Sequence, residues 1–285
     1  MRIVRTVAEL RAAVREARDG GSRVGLVPTM GALHDGHLAL VRRAREQSGF
    51  VVVSLFVNPA QFNDPSDLEK YPRDEARDVA LLRDVGVNLL FAPPVEEVYP
   101  PGFATTVEVA GLSEPLEGAM RGQKHFRGVA TVVTKLLNMV QPDDAVFGQK
   151  DAQQALIIRR LVRDLDLPVH VEIHPTVREA DGLAMSSRNV RLDADARRRA
   201  PAIARALQSV VATVAEGERD MTQALASATA ILDASAIHPE YFAAVSAETL
   251  EPVTRLTGET LVAIAASVGG VRLIDNVIVS PGAQG

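Results

Sequence analysis

The chain contains no cysteine, which excludes disulfides and thiolate chemistry and fits a reducing compartment. It also lacks a basic excess. Against 36 acidic residues stand 31 Lys and Arg, leaving a net charge of −5, so no general grip on nucleic acid is expected. Local clusters can still serve small anions. No apolar run is long enough to span a bilayer, so no membrane segment is expected. The opening MRIVRTVAELRAAVREARDGG alternates charge with apolar residues, where a secretory signal would be continuously apolar. There is no repeat, and no low-complexity tract beyond alanine richness. These absences point to a cytoplasmic enzyme or binding protein.

What is present is a chain of 285 residues with 47% hydrophobic content, enough for one large or two modest cores. Short β-branched runs recur at RVGLVP (23–28), FVVVSLFV (50–57), VNLLFA (87–92), DAVFG (144–148) and VHVEIH (169–174). Their near-continuous hydrophobicity predicts strands buried on both faces. Between them, helical spacing of apolar residues predicts helices near 6–18, 37–48, 73–85, 127–139 and 151–164. That alternation predicts an α/β fold with a doubly wound parallel sheet, Rossmann-like, over 1–177. Beyond the loop READGLAMSSRN (178–189) the texture changes: Ala-rich helices near 193–216 and 220–234 precede three β-like stretches. Residues 178–285 are therefore expected to form a smaller α+β domain, acting as a lid.

Ligands of such sheets sit beyond the carboxyl ends of the strands. There the sequence VPTMGALHDGH (27–37) places His34 and His37 three apart at the start of a predicted helix. Free N–H groups and the positive dipole end at a helix N-terminus favour phosphate, and the same dipole favours a neutral, N–H-donating imidazole. Gly36 would allow close approach of a nucleotide. Two other readings of the pair are a metal half-site and plain capping. No further His or Cys cluster follows to complete a metal site. A second strand end, FGQKDAQQ (147–154), sets Lys150 where a helix dipole disfavours a cation, so that it calls for an anion. Read alone, Lys150 is equally a solvated loop lysine. In AMSSRN (184–189), Ser186, Ser187 and Arg188 offer hydroxyls and a guanidinium fork, although Ser-rich loops with an arginine are common. Together the three stretches suggest a nucleoside triphosphate held at two strand-end helix N-termini under a mobile basic loop.

The blocks PTMGALHDGH, SLFVNPAQF, YPRD, HFRGVATVV, FGQKDAQQ and ADGLAMSSRN occur in this order along the chain. The HxGH signature resembles the nucleotidyltransferase superfamily shared with class I aminoacyl-tRNA synthetases, and the whole set resembles the pantoate–β-alanine ligase family. That resemblance implies ATP-dependent condensation of pantoate with β-alanine through a pantoyl adenylate, releasing pyrophosphate and then AMP. It implies ATP contacts at Met30, Gly31, Ala32, Leu33, His34, Asp35, Gly36 and His37, with His37 as proton donor. Further ATP contacts are implied at Gly148, Gln149, Lys150 and Asp151, at Met185, Ser186, Ser187 and Arg188, and at the backbone of Val177. Gln61 and Gln154 are implied to hold pantoate. His34, His37, Lys150 and Arg188 are the expected catalytic groups, Mg2+ is expected to accompany ATP, and a homodimer is implied. The FVVVSLFV run and the Ala-rich surfaces are compatible with such a dimer.

The bottom-up chemistry is compatible with those roles. A carboxylate needs positioning and relief of phosphoryl charge, not a base, while glutamine amides suit a small hydroxy acid. Two departures stand out. The segment MRGQKHF is one residue longer than the family's usual RPGHF, which affects Arg121. Arg77 also stands where a carboxylate would neighbour Asp78, leaving Asp78 as the sole magnesium candidate of that stretch. Two rival readings are an enzyme adenylylating a phosphate ester and a nucleotide-binding regulator without turnover. Substrate-dependent pyrophosphate exchange separates the first, and AMP release with both substrates separates the second.

Overall fold

A computed structural model describes residues 1–282. The chain divides into two compact units, one formed by Met1–Gln149 with Gln153–Pro175 and the other by Lys150–Ala152 with the chain from Thr176 on.

The first unit is built on a six-stranded sheet of β1 (Arg2–Val4), β2 (Val24–Thr29), β3 (Phe50–Leu55), β4 (Leu89–Phe91), β5 (Asp144–Gly148) and β6 (His170–His174). All pairings are parallel, in the order β1-β4-β3-β2-β5-β6. Val24, Leu26, Val27, Val51, Val52 and Val53 are fully buried, as expected when helices cover both faces of a parallel sheet. The chain steps outward from β2 through β3, then returns to place β5 on the other side of β2. In sheets of this kind such a reversal is where ligands bind, here at the carboxyl ends of β2 and β5. Strand β3 lies between β2 and β4 and has no free edge, so the FVVVSLFV run cannot itself form a dimer seam. Strand β1 lies outside the apolar runs that the sequence marks, because it is only three residues long and partly exposed.

The helices of this unit are α1 (Val7–Asp19), α2 (Asp35–Gln47), α3 (Pro65–Glu69), α4 (Glu75–Asp84), α5 (Val95–Val98), α6 (Glu117–Arg121), α7 (Gln123–Val140) and α8 (Ala152–Asp164). Helix α1 begins with a capping box in which Thr6 and Glu9 satisfy each other's backbone N–H. The short helices α3, α5 and α6 carry too few turns to show a helical period in sequence. Gly128 of α7 permits a close approach: a Cβ there would lie 2.4 Å from Ala60 O, so only glycine lets the helix seat the Pro59–Gln61 turn.

The second unit contains α9 (Ala194–Arg199), α10 (Ala202–Ala215) and α11 (Met221–Asp233) with an antiparallel sheet β7-β8-β9. The strands are β7 (Pro239–Ser246), β8 (Thr260–Val268) and β9 (Val271–Val279). The stretch 193–216 reads as one helix but forms two, divided at Pro201, which has no N–H to continue the ladder. Ile203, Leu207 and Val210 meet Val262, Ile264 and Leu273 in a core of its own. Strands β8 and β9 join through Gly269 and Gly270, both at positive φ (57° and 75°), as a two-residue hairpin of this twist requires. No helix among the described residues is long and apolar enough to cross a membrane.

Candidate active site

Beyond β2 the backbone makes a left-handed step at Gly31 (φ 83°) and Ala32 (φ 51°) before entering α2. For alanine that conformation costs roughly 1–2 kcal/mol, so something must hold it. Asp78 of α4 does so. It is 1% exposed, and its Oδ2 accepts from Ala32 N at 2.9 Å while Oδ1 accepts from Leu33 N at 2.8 Å. The neighbouring Arg77 donates Nη1–H to Leu33 O at 3.0 Å. Thr29 Oγ donates to Ser54 O and accepts from Gly31 N, tying the start of the turn to β3. Asp78 is thus placed as a clamp on the Met30–His34 turn, with both oxygens engaged by backbone amides.

The clamp sets the entry to α2. His34 is its N-cap residue, and His34 N donates to His37 Nδ1 at 3.4 Å. An Nδ1 that accepts leaves the His37 proton on Nε2, where it can be donated outward. The two rings lie 4.1 Å apart by centroid. His37 N already bonds His34 O, so the amides of Asp35 and Gly36 remain as the helix's outward-facing donors.

Gln61 closes the turn after β3 and meets this loop, with Gln61 Nε2 lying 3.1 Å from Met30 Sδ. The residues that hold Gln61 are ones sequence reasoning passed over. Asn58, 1% exposed, donates to Gln61 Oε1 and to Gly128 O and accepts from Ala60 N. Tyr99 donates its hydroxyl to Asn58 Oδ1 at 2.8 Å, and burial pushes this phenol up to about 12. His125 Nδ1 contacts Gln61 O at 2.8 Å. The block NPAQF held a signal for Asn58, since an Asn before Pro commonly caps a turn. Tyr99 has no local signal at all.

After β5, Gly148 and Gln149 lead into a 3-10 turn over Gln149–Asp151 and then α8. The adjacent glutamines of α8 differ in placement. Gln153 is buried and pins the segment before α6, donating to Leu112 O and Pro115 O and accepting from Glu117 N. Gln154 is half-buried. Arg121 is tied within α6 to Glu117 Oε2 at 2.7 Å.

In the second unit Lys150, Ser186 and Arg188 line one cavity, with Arg272 and Asp275 of β9. Lys150 Nζ lies 3.9 Å from Asp151, whose side chain is more than half exposed. The 178–189 loop is pinned by its own polar groups: Met185 N bonds Val177 O, Arg188 N bonds Ser186 Oγ, and Asn189 Nδ2 bonds Glu179 and Ala184 O. Ser187 and Met185 are half-buried beside this cavity's residues in sequence but do not line it. Among the described residues no group of three or more His, Cys, Asp or Glu side chains is gathered to hold a metal.

Known proteins similar to this chain share one family. A family model described as pantoate-beta-alanine ligase matches residues 2–278. A pantothenate synthetase of Cereibacter sphaeroides is 56% identical over 276 residues, covering 96% of this chain and 98% of its own. One from Roseiflexus castenholzii is 51% identical, covering 98% and 99%. Among solved structures, the pantothenate synthetase of Thermus thermophilus superposes with a TM-score of 0.92 at 50% identity, covering 99% of this chain and all of its own. A pantoate-beta-alanine ligase from Francisella tularensis, complexed with beta-gamma ATP and beta-alanine, superposes at 0.79 and 32% identity, covering 99% and 100%.

Proposed function

The chain belongs to the pantoate–β-alanine ligase family, and on that premise we propose that it condenses pantoate with β-alanine at the expense of ATP. The pantoate carboxylate attacks the α-phosphorus and pyrophosphate leaves. The β-alanine amine then attacks the acyl carbon of the adenylate and AMP leaves. The observation that carries this reading is the 3.1 Å contact of Gln61 with Met30, which brings the acid-binding block against the nucleotide-binding block.

In this reading the Asp35 and Gly36 amides and His34 and His37 receive phosphoryl oxygens, with His37 Nε2–H as the donor to the developing charge. Met30, Gly31, Ala32 and Leu33 line the nucleotide, together with Gly148, Gln149, Asp151, Val177 and Met185. Lys150, Ser186, Ser187 and Arg188 take phosphate oxygens, and Lys150, Ser186 and Arg188 lie together around one small cavity. Gln61 and Gln154 hold pantoate. Magnesium enters with ATP, and a hard cation bound chiefly by phosphate oxygens and water needs no protein cage. Asp78 serves the loop instead of the metal. We also propose a cytoplasmic homodimer, which a dimeric mass by sedimentation at micromolar concentration would support and a monomeric one would oppose.

The test of the reaction is labelled pyrophosphate exchange into ATP with pantoate present and β-alanine absent. Exchange is expected. A strict requirement for β-alanine would overturn the two-step scheme.

A further inference from the structure

Strand β9 carries two polar residues, Asp275 and Asn276, in the middle of the apolar run VRLIDNVIV, and each is only 3% exposed. Buried polar groups need partners, and the partners here are informative. Asn276 Nδ2 donates to the backbone carbonyl of Lys150 at 3.0 Å. Asp275 takes a two-pronged ion pair from Arg178, at 2.7 Å to Oδ2 and 3.0 Å to Oδ1. Arg178 Nη1 also donates to Gly182 O at 2.9 Å, and Arg178 bridges Ala184 across the loop that carries Ser186 and Arg188. The Asn276 backbone N–H closes the set by donating to Asp275 Oδ1 at 2.7 Å. Two pieces of chain about thirty positions apart, the Lys150 turn and the 178–188 loop, are therefore fastened to adjacent residues of one strand.

Stability alone does not account for this arrangement. A buried ion pair in a sheet is seldom better than apolar residues of equal volume. Burial here pushes the Asp275 carboxyl above its ordinary range, against the pull of Arg178 and of the Lys150 charge. What the pair and the amide supply is geometry, since a fork of two hydrogen bonds fixes direction as well as distance.

We propose that Asn276, Asp275 and Arg178 are positioning residues for adenylation, holding the Lys150 turn and the Ser186–Arg188 loop in register without touching substrate. This rests on the phosphate-binding role proposed above for Lys150, Ser186 and Arg188. Because Asn276 acts through Lys150, its loss matters only while Lys150 is there to be positioned.

The test is a double-mutant cycle of Asn276→Ala with Lys150→Ala, read as single-turnover adenylate formation at saturating ATP and pantoate. Aminolysis of preformed adenylate and the thermal midpoint are followed in parallel. Asn276→Ala alone is expected to slow adenylation roughly tenfold, while the double variant is no slower than Lys150→Ala, because coupled residues are not additive. The pantoate KM and the aminolysis step stay near those of the unaltered protein. Effects that multiply in the double variant, or equal losses in both half-reactions, would overturn the inference and leave the proposed function standing. A Lys150→Ala variant with unaltered adenylation would overturn the role of Lys150 and this inference with it. Absence of any pantoate-dependent adenylate in the unaltered protein would overturn the proposed function itself. Should Asn276→Ala fail to fold, Arg178→Lys, which keeps the charge but loses the fork, is paired instead with Arg188→Ala, a residue of the loop that Arg178 holds, and the same non-additivity and the same sparing of aminolysis are expected.

Discussion

Replacing Asp78 by asparagine separates two jobs for one carboxylate: clamping the Met30–His34 turn or ligating magnesium. Both oxygens of Asp78 accept from backbone amides, at 2.9 Å from Ala32 and 2.8 Å from Leu33. Asparagine retains one acceptor and turns an NH2 group toward the other N–H, so one charge-assisted bond is lost and a buried amide is left unmet. Each such bond contributes about 1.5–3 kcal/mol. The turn it holds includes Ala32 at φ 51°, a conformation that relaxes once the clamp weakens. A release of about 1.5–3 kcal/mol confined to the turn depopulates the competent loop by roughly 10–100-fold, since each 1.4 kcal/mol is a factor of ten. Adenylation is expected to fall by that factor. The assay is pantoate-dependent pyrophosphate exchange across a magnesium titration. A clamp defect is indifferent to the metal, whereas a lost ligand is offset by more of it. If raising magnesium well above the ATP concentration restored the rate of Asp78→Asn, the clamp reasoning would be wrong and Asp78 would be a metal ligand.

Lys150→Ala and His37→Ala are each expected to lower the adenylation rate by about 10²–10³-fold with smaller changes in substrate binding, because their donors act most strongly on charge developing in the transition state; pre-steady-state quench at saturating ATP reads this. The neighbours Gln153 and Gln154 should respond oppositely. Gln153→Ala strands two carbonyls and one N–H and is expected to lose about 2–3 kcal/mol in urea denaturation, whereas Gln154→Ala leaves stability nearly unchanged and weakens pantoate binding. The Arg197 hydrogen bond holds the Asp181 carboxyl below the ordinary carboxylate range. A depressed carboxyl contributes stability that is present above its unfolded value of about 3.9 and lost as pH falls through the lower folded value. Arg197→Ala should therefore flatten the acid limb of a thermal-midpoint profile slightly, the pair being about one-third exposed. A limb of unaltered steepness would count against that pair.

A parallel sheet containing β2 to β6 was legible because sheets covered on both faces demand near-continuous apolar runs, whereas the spatial order of those strands was not, since a run carries no record of its neighbours. The single helix read over 193–216 failed at one residue, Pro201, whose missing N–H outweighs the helical period on either side. The site was legible to the degree that its chemistry is local. His34 and His37 share one helical turn, and Ser186 to Arg188 share one loop, so spacing alone groups them. What holds these groups is different in kind. Asp78 reaches back some forty-five residues to two amides, Tyr99 reaches Asn58, and Asn276 reaches the Lys150 carbonyl across 126 positions of sequence. A polar side chain bound to a distant backbone atom has no period and no partner motif, since every residue offers the same carbonyl and nearly every one the same N–H. Its one trace in sequence is a polar residue where the pattern calls for an apolar one, as Asp275 and Asn276 interrupt VRLIDNVIV. Such interruptions carry a cost when buried, and in β9 that cost accompanies the fastening of the Lys150 turn and the 178–188 loop to one strand.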